Sequence, residues 1–321
     1  MLISAKYRQS RRPEEGMNLH HFESFDSYAQ AILAAHTRIF LLGPGGNEWR
    51  IGHLDVNGID VQRGVATAPS LCEATGRPTH LTLLLSQPPS NPTWLNGLPF
   101  SQDSVGILAP SRGYAFRAAG SNEWIMIALP LGSDLFAGSS LMAQTLRRWA
   151  DAESMVRTDY LQVAALRDAA ITSLAPSCPP EIGRRLIEQR LFDLIASRTP
   201  VQRCRGRPSI SMSKLCESAL KVFREQNATA HVNDLCKAMR ISERSLRDFF
   251  LACFGMGPGH YLCLRKLHDV YLDLAKNRDP RMTVADCFLQ HGYAYSTYAA
   301  AHYRRLFLET PSQTRHRLRQ Q

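Results

Sequence analysis

Charged and hydroxyl side chains lie close together in residues 243–248, Glu-Arg-Ser-Leu-Arg-Asp. Arg244 and Arg247 are three residues apart, so on a helix their side chains would point to the same side. A guanidinium in the major groove of DNA can donate two hydrogen bonds to O6 and N7 of one guanine. The pattern therefore indicates the chemistry of base recognition, and the candidate DNA contacts in this stretch are Glu243, Arg244, Ser245, Arg247 and Asp248.

Two short helices would position these side chains. The first carries apolar residues at the spacing of one helix face, namely Val232, Leu235, Cys236 and Met239. The second repeats that spacing with Leu246, Phe249, Phe250 and Cys253, and Ser242 before it is a suitable N-cap. In a helix-turn-helix, the N-terminal half of the second helix meets base edges. An ordinary helical hairpin with a solvated charged face would show the same pattern, so this segment alone leaves both interpretations open.

A second pair of helices follows along the chain. Thr283 is a suitable N-cap, His291-Gly292-Tyr293 forms a turn, and another helix begins near Tyr295. In this alignment Arg244 corresponds to Ser296, 52 residues later. A long helix, predicted over His260–Lys276, joins the pairs and would span ~25 Å. Such a helix suits two recognition helices separated by about one turn of DNA, ~34 Å, and this favours the helix-turn-helix interpretation.

The positive charge lies in the same part of the chain. The net charge is +10, and residues 1–200 contribute 18 basic and 18 acidic side chains, which cancel. The remaining 20 basic and 10 acidic side chains lie in residues 201–321. A basic region indicates a polyanionic partner, either nucleic acid or an acidic membrane surface. We expect no membrane partner, because no apolar run approaches the ~20 residues of a membrane span.

The N-terminal part has the pattern of a β-rich domain. Short strands are predicted near 38–42, 49–56, 59–66, 80–86, 105–108, 114–118 and 124–129, with turn residues between them. Many short strands at this spacing predict a sandwich or a small barrel, which has room for one small ligand. A short helix is predicted from Phe25 to Ala35, and longer helices over 131–151, 158–174 and 181–197.

The last of these helices has an apolar stripe that contains Ile182, Leu186, Leu191, Leu194 and Ile195. Such a stripe can pair with a second copy of the chain, or it can pack on the β-rich domain of the same chain, and the sequence does not choose between them. The predicted organisation is an effector or sensor domain over 1–130, a helical dimerisation or linking region over 131–197, a basic linker over 198–211, and a DNA-binding domain over 212–321.

The C-terminal motifs resemble the signature of the AraC/XylS transcription regulators. The matching residues, between about Ser211 and Arg315, are Gly255-x-x-Pro258-x-x-Tyr261, Arg265-Lys266-Leu267, His291-Gly292-Tyr293, Tyr303-Arg304-Arg305-Leu306-Phe307 and Pro311-Ser312. The N-terminal part is similar to the family only in outline, as a cupin-like barrel with dimerisation helices. The ending is also similar to that of the ethanolamine-operon regulator subgroup.

The resemblance implies an α+β protein with a cupin-like β-barrel, dimerisation helices, and an all-α domain with two helix-turn-helix motifs joined by a long helix. It implies a sequence-specific, cytoplasmic transcription regulator, most often an activator, that binds double-stranded DNA. Its other expected partners are RNA polymerase, a second copy of the chain and a small-molecule effector. It further implies phosphate contacts around Arg265 and Arg304.

In the second motif the outward residues are Ser296, Thr297, Ala300 and Ala301, which are small, so we expect the first motif to discriminate bases. Ala301 and Leu308 depart from the Arg and Gly that the family often has there.

The alternative is a cupin-like metal-dependent enzyme fused to a DNA-binding domain. His36, His53 and His80 are the candidate ligands, but they are widely spaced and lack a His-x-His pair. The eight cysteines form no Cys-x-x-Cys pair, which favours reduced core thiols over disulfides or a zinc site. We therefore expect no catalytic residue, no metal and no cofactor.

Overall fold

The computed structural model describes residues 19–88, 91–152, 154–197, 211–226, 231–276 and 281–319. The strands are β1 His20–Phe22, β2 Ala35–Leu41, β3 Trp49–Val56, β4 Ile59–Ala66, β5 Ser70–Thr75, β6 His80–Gln87, β7 Thr93–Leu95, β8 Leu98–Phe100, β9 Ser104–Leu108, β10 Gly113–Ala118, β11 Asn122–Pro130 and β12 Met155–Arg157. All seven predicted strands are present. The five short strands β1, β5, β7, β8 and β12 were missed by the sequence pattern.

The helices are α1 Phe25–Ala31, α2 Leu141–Ala152, α3 Tyr160–Ser173, α4 Pro180–Ala196, α5 Met212–Gln226, α6 Val232–Met239, α7 Glu243–Phe254, α8 Pro258–Lys276, α9 Val284–Gln290, α10 Thr297–Phe307 and α11 Pro311–Arg319. The helix predicted over 131–151 is shorter than expected. A 3-10 helix, Asp134–Phe136, comes first, and Gly138 with φ of 71° separates it from α2. Most of the predicted linker, 198–210, lies outside the described residues.

The strands form two antiparallel sheets that face each other as a sandwich. One sheet has seven strands in the order β1-β3-β4-β11-β6-β9-β12, and the other has five in the order β2-β5-β10-β7-β8. Hairpin turns at Asn57-Gly58 and Asn96-Gly97 have positive φ at both residues, as type I′ turns require. The predicted α+β class is confirmed. The predicted closed barrel is not present, because among the described strands no hydrogen-bonded pair joins one sheet to the other.

Both faces of the seven-stranded sheet are apolar, because each packs against a different layer. Leu83 and Leu85 point to one face and pack with α2, α3 and α4, while Leu84 points into the sandwich. In α4, Ile187, Leu191, Leu194 and Ile195 are buried in this helical layer. The apolar stripe of α4 therefore packs mainly on its own chain. The strand β12 pairs with β9 of the sandwich, although it lies in the region predicted to be helical.

The helices α5 to α11 form the C-terminal all-α part, which packs on the five-stranded sheet. Contacts link α5 and α7 to β10, and α8 to β2. One continuous core contains Phe40 of the sheet together with Phe223, Phe254 and Tyr261 of the helices, all of which are buried. The contact between the two parts is therefore an apolar interface around a few ion pairs, described below.

Candidate nucleic-acid interface

The helices α6 and α7 form the first helix-turn-helix unit. Arg240 ends α6 with a left-handed backbone, φ of 54°, and this turns the chain toward α7. The Ser242 hydroxyl accepts a hydrogen bond from the amide of Ser245 at 3.2 Å and so caps α7. Leu246, Phe250 and other apolar residues of α7 are buried, and they fix the helix against α5 and α8. The predicted N-cap and both apolar stripes are present.

The opposite face of α7 is open to solvent. Glu243, Arg244, Ser245, Arg247 and Asp248 are all exposed. The Ser245 hydroxyl lies 3.0 Å from the Ser242 hydroxyl, so it also takes part in the helix cap. The two guanidiniums lie on the N-terminal half of the helix, which is where a recognition helix contacts bases.

The helices α9 and α10 form the second unit. Thr283 and Asp286 form a reciprocal capping box at the start of α9, as the sequence predicts. Gly292 has φ of 63° in the turn. Ser296 is the N-cap of α10, and its hydroxyl accepts from the amide of Ala299 at 3.2 Å. The candidate Ser296 therefore has a structural role whether or not it contacts DNA.

The exposed face of α10 differs from the predicted one in a single large residue. Thr297, Ala301 and Arg304 are exposed, whereas Ala300 is only half exposed. Tyr298 is 72% exposed and lies one turn before Ala301 and His302. Tyr298 carries no charge, so the charge pattern did not indicate it, although its spacing from the buried Ala299 and Tyr303 could have placed it on the outer face.

The buried residues Leu246 and Ala299, and the left-handed C-caps Gly255 and Leu308, align with a spacing of 53 residues, one more than predicted. The N-caps Ser242 and Ser296 are 54 residues apart. At the spacing of the buried residues, Arg244 corresponds to Thr297 instead of Ser296. The outer face of α7 has two arginines, while the matching face of α10 has a hydroxyl, a phenol and a methyl group.

Arg265 does not lie at the surface, and its predicted phosphate contact is wrong for this conformation. Its side chain is 5% exposed, and its Nη1 donates to Oε2 of Glu73 in β5 at 2.6 Å. The guanidinium also lies over the ring of Phe223, 4.5 Å from the centroid. The helical spacing correctly placed Arg265 on the long helix, but it could not show that the sandwich covers that face.

His268, one turn beyond Arg265, is buried in the same interface. Its Nε2 accepts from the amide of Leu41 at 2.8 Å, and its Nδ1 lies 3.0 Å from the carbonyl oxygen of Leu264. This arrangement suits a neutral imidazole that donates from Nδ1. Burial, with the nearby cations Arg38 and Arg265, lowers the pKa of His268 to about 3.

A family comparison agrees with this geometry. Residues 235–317, from α6 to α11, match the model of a helix-turn-helix domain family. The C-terminal part is an AraC-type helix-turn-helix domain. The match covers these residues alone, and it assigns this part of the chain to DNA binding. No comparison tests the ethanolamine-operon subgroup.

Solved structures that resemble the whole chain have low sequence identity. The AraC-like transcriptional activator CuxR is 13% identical, and the match covers 80% of this chain and 96% of CuxR with a TM-score of 0.41. ToxT from Vibrio cholerae is 11% identical, with 87% and 97% coverage and a TM-score of 0.28. A cupin-2 domain protein from Rhodospirillum rubrum is 10% identical, covers 53% of this chain and 94% of its own, and has a TM-score of 0.20.

The sandwich that accompanies the AraC-type domain does not gather the three candidate histidines. His53 and His80 both approach Asp60, at 3.0 Å and 3.9 Å, while His36 lies on β2 and faces the C-terminal helices. Arg77 also contacts Asp60, and the hydrogen bonds from His53 and Arg77 lower the pKa of its carboxyl to about 2. A guanidinium at the carboxylate repels a cation, so this group is an ion-pair cluster and a poor metal site.

Inside the AraC-type domain, Asp273, Cys287 and His291 bring their possible ligand atoms within 4.8 Å of one another. His291 Nε2 lies 2.8 Å from Oδ2 of Asp273, and burial raises the pKa of the Cys287 thiol to about 11. The group therefore joins α8 to α9 through a hydrogen bond beside a protonated thiol. The cysteines in the described part of the chain are all free. No helix there is long and apolar enough to cross a bilayer.

Proposed function

We propose that the chain binds a specific DNA site with both helix-turn-helix units, and that the first unit reads the bases. The observation that carries this proposal is the contrast between the outer faces. Arg244 and Arg247 are exposed on the N-terminal half of α7, whereas the N-terminal half of α10 exposes Thr297, Tyr298 and Ala301, and the arginines of α10 lie in its last turn. Arginine can distinguish guanine by two hydrogen bonds, while small side chains provide backbone or thymine-methyl contacts.

A binding-site selection from random duplexes, followed by footprinting on the selected site, tests this proposal. We expect one defined site whose affinity falls steeply with salt, because lysine and arginine displace counterions from phosphates. Equal binding to every sequence, or a flat salt response, would contradict specific binding by this surface.

We also propose that DNA binding resides in residues 212–321 and that residues 1–197 regulate it. A fragment from about residue 203 to the C-terminus should bind DNA more weakly than the full chain. Residues 1–200, with balanced charge, should not bind. Comparable binding by the two fragments would contradict this division.

The third element of the proposal is a homodimer formed through α3 and α4. Leu161, Ile182 and Phe192 remain 68%, 50% and 47% exposed on these helices, although Leu191, Leu194 and Ile195 of the α4 stripe are buried. Exposed apolar side chains on adjacent helices suit a partner helix pair. Phe192→Glu should convert a dimer into a monomer in sedimentation equilibrium, and an unchanged mass would rule out this face.

The final element is the direction of regulation. We propose an activator that contacts RNA polymerase and responds to a small-molecule effector, and the resemblance of the C-terminal motifs supports this direction. Transcription with purified polymerase from a template that carries the selected site should rise when the protein is added. A fall would indicate a repressor.

A further inference from the structure

An open cleft of about 380 Å³ lies where the five-stranded sheet meets α5 and α8. Its lining includes Thr37, Arg38, Glu73, Arg224 and Arg265. This volume lies within the range of small-molecule sites, about 300–1,000 Å³. By contrast, the cavity between the two sheets is about 30 Å³, since aromatic residues including Trp124 fill the interior. A cavity of that size has room for about one or two waters. Of these two cavities, the one at the interface has room for a small ligand.

The cleft is positively charged. Arg38 pairs with Asp269 at 2.5 Å and Arg265 pairs with Glu73 at 2.6 Å. Arg224 donates to the Thr75 hydroxyl at 3.0 Å, and among the described residues no carboxylate lies within 4.0 Å of its guanidinium. One cation thus remains without a counter-charge, and it can bind an anion.

The cleft also has buried acceptors that lack donors. Glu73 is 6% exposed, and its Oε1 has no hydrogen-bond partner in the described part of the chain. The Thr37 hydroxyl is likewise buried and unpartnered there. A carboxylate oxygen only accepts hydrogen bonds, so a ligand that pairs with Oε1 of Glu73 carries an O–H or N–H group.

The backbone of β2 beside this cleft is irregular in its pairing with β5. The register between β2 and β5 shifts between Ala35 and Arg38, and His36 has φ of 53°. A β-bulge redirects side chains and is common beside binding sites. Here it places His36 and Thr37 on the cleft lining.

From these observations we propose that the cleft binds a small α-hydroxy or α-amino monocarboxylic acid, and this inference rests on the proposed effector control. The carboxylate pairs with Arg224 of α5, and the hydroxyl or ammonium donates to Glu73 of β5. The ligand thereby bridges the sandwich and the AraC-type domain. It binds the carboxylate whose other oxygen is held by Arg265, and so it is linked to α8, the helix that joins the two DNA-binding units.

The test measures melting of the full chain with a panel of three- to six-carbon α-hydroxy acids, α-amino acids and the plain carboxylates of equal length. We expect at least one hydroxy or amino acid to raise the melting temperature, with no rise from its plain counterpart, because a ligand that binds the native state stabilises it. Comparing the two active classes shows whether the donor is a hydroxyl or an ammonium. No response to either class would overturn the proposal.

Arg224→Gln should weaken binding of the active acid at least about tenfold, since a hydrogen bond to a charged group is lost. Lys221→Gln is the matched control, because Lys221 lies one turn earlier on α5 with its side chain 68% exposed and outside the cleft. Thr37→Val provides a second variant on the sandwich side and should also weaken binding.

Equal binding by Arg224→Gln and Lys221→Gln would overturn the assignment. If the chain binds the acid but no DNA, the proposed function is contradicted and the acid site is not. If the chain binds DNA but none of the acids, the acid site is contradicted and the proposed function is not.

Discussion

The two helix-turn-helix units have the same backbone plan but different outer faces and different surroundings. The first unit, α6–α7, exposes two arginines and packs against the sandwich through β10. The second, α9–α10, exposes small or aromatic groups on the N-terminal half of α10 and arginines only in its last turn, and it packs on α8 and α11. It contacts the N-terminal part through aromatic rings, with the centroid of Phe307 stacked 6.2 Å from that of Phe25. Buried residues make both units fold, while the exposed ones decide what each can recognise.

The comparison extends to the arginines that the resemblance had assigned to phosphates. Arg304 on α10 is exposed and able to contact DNA, whereas Arg265 on α8 is buried against Glu73. The same residue type therefore has opposite environments in the two halves of the domain. A role known for a family therefore applies to a residue of this chain only when the neighbouring domain does not bury the side chain of that residue.

The largest predicted effect separates these two arginines. Arg265→Ala leaves the carboxylate of Glu73 buried and unpaired, and we expect a loss of about 3–5 kcal/mol in the free energy of unfolding. Arg304→Ala should leave the melting curve unchanged, weaken all DNA sequences alike, and reduce the salt slope by about one. Denaturant unfolding and DNA titration at several salt concentrations measure both.

A double variant, Arg265→Met with Glu73→Leu, controls for misfolding. Because it removes both charges, it should recover most of the stability lost by Arg265→Ala. If Arg265→Ala were as stable as the wild type while flattening the salt slope, Arg265 would be a phosphate contact and the buried pair would be unimportant.

Acid should weaken the side of the domain that packs on the sandwich. The pKa of His268 is about 3 in the folded chain, below the unfolded value of about 6.5. As pH falls below 6.5 the unfolded state binds the proton first, so stability present at neutral pH is lost progressively down to about pH 3. At pH 5 the loss from this residue would be about 2 kcal/mol. Melting curves from pH 7 to pH 5 should fall more steeply for the wild type than for His268→Gln, and parallel curves would refute the role of His268.

The helix C-caps provide a smaller contrast between the units. Gly255 has φ of 75°, and a Cβ there would lie 2.9 Å from Nη1 of Arg117, so Gly255→Ala should cost about 1–2 kcal/mol. Leu308 holds φ of 59° without being glycine, and its side chain is 57% exposed. Leu308→Gly should therefore stabilise the chain by up to about 1 kcal/mol. Thermal unfolding measures both changes, and a destabilised Leu308→Gly would show that the leucine side chain makes a contact that outweighs the backbone strain.

Local patterns predicted much of this structure because they report on neighbouring residues. The strands β3 and β4 have the predicted bounds, and the caps Ser242 and Thr283 act as expected. The strand β5 was missed, since the buried charged residue Glu73 interrupts its apolar pattern. The burial of Arg265 and the bulge at His36 depend on contacts between distant segments, which spacing along one helix or strand does not contain.

The most direct test of the central claim is a binding-site selection on the wild type, Arg247→Ala and Tyr298→Ala, after each variant is shown to melt like the wild type. If the first unit reads the bases, Arg247→Ala loses preference at one base pair and binds the wild-type site more weakly by about 1–3 kcal/mol. Tyr298→Ala should keep every base preference. The opposite result, with all preferences intact in Arg247→Ala and some erased in Tyr298→Ala or Thr297→Ala, would assign base reading to the second unit and contradict the account.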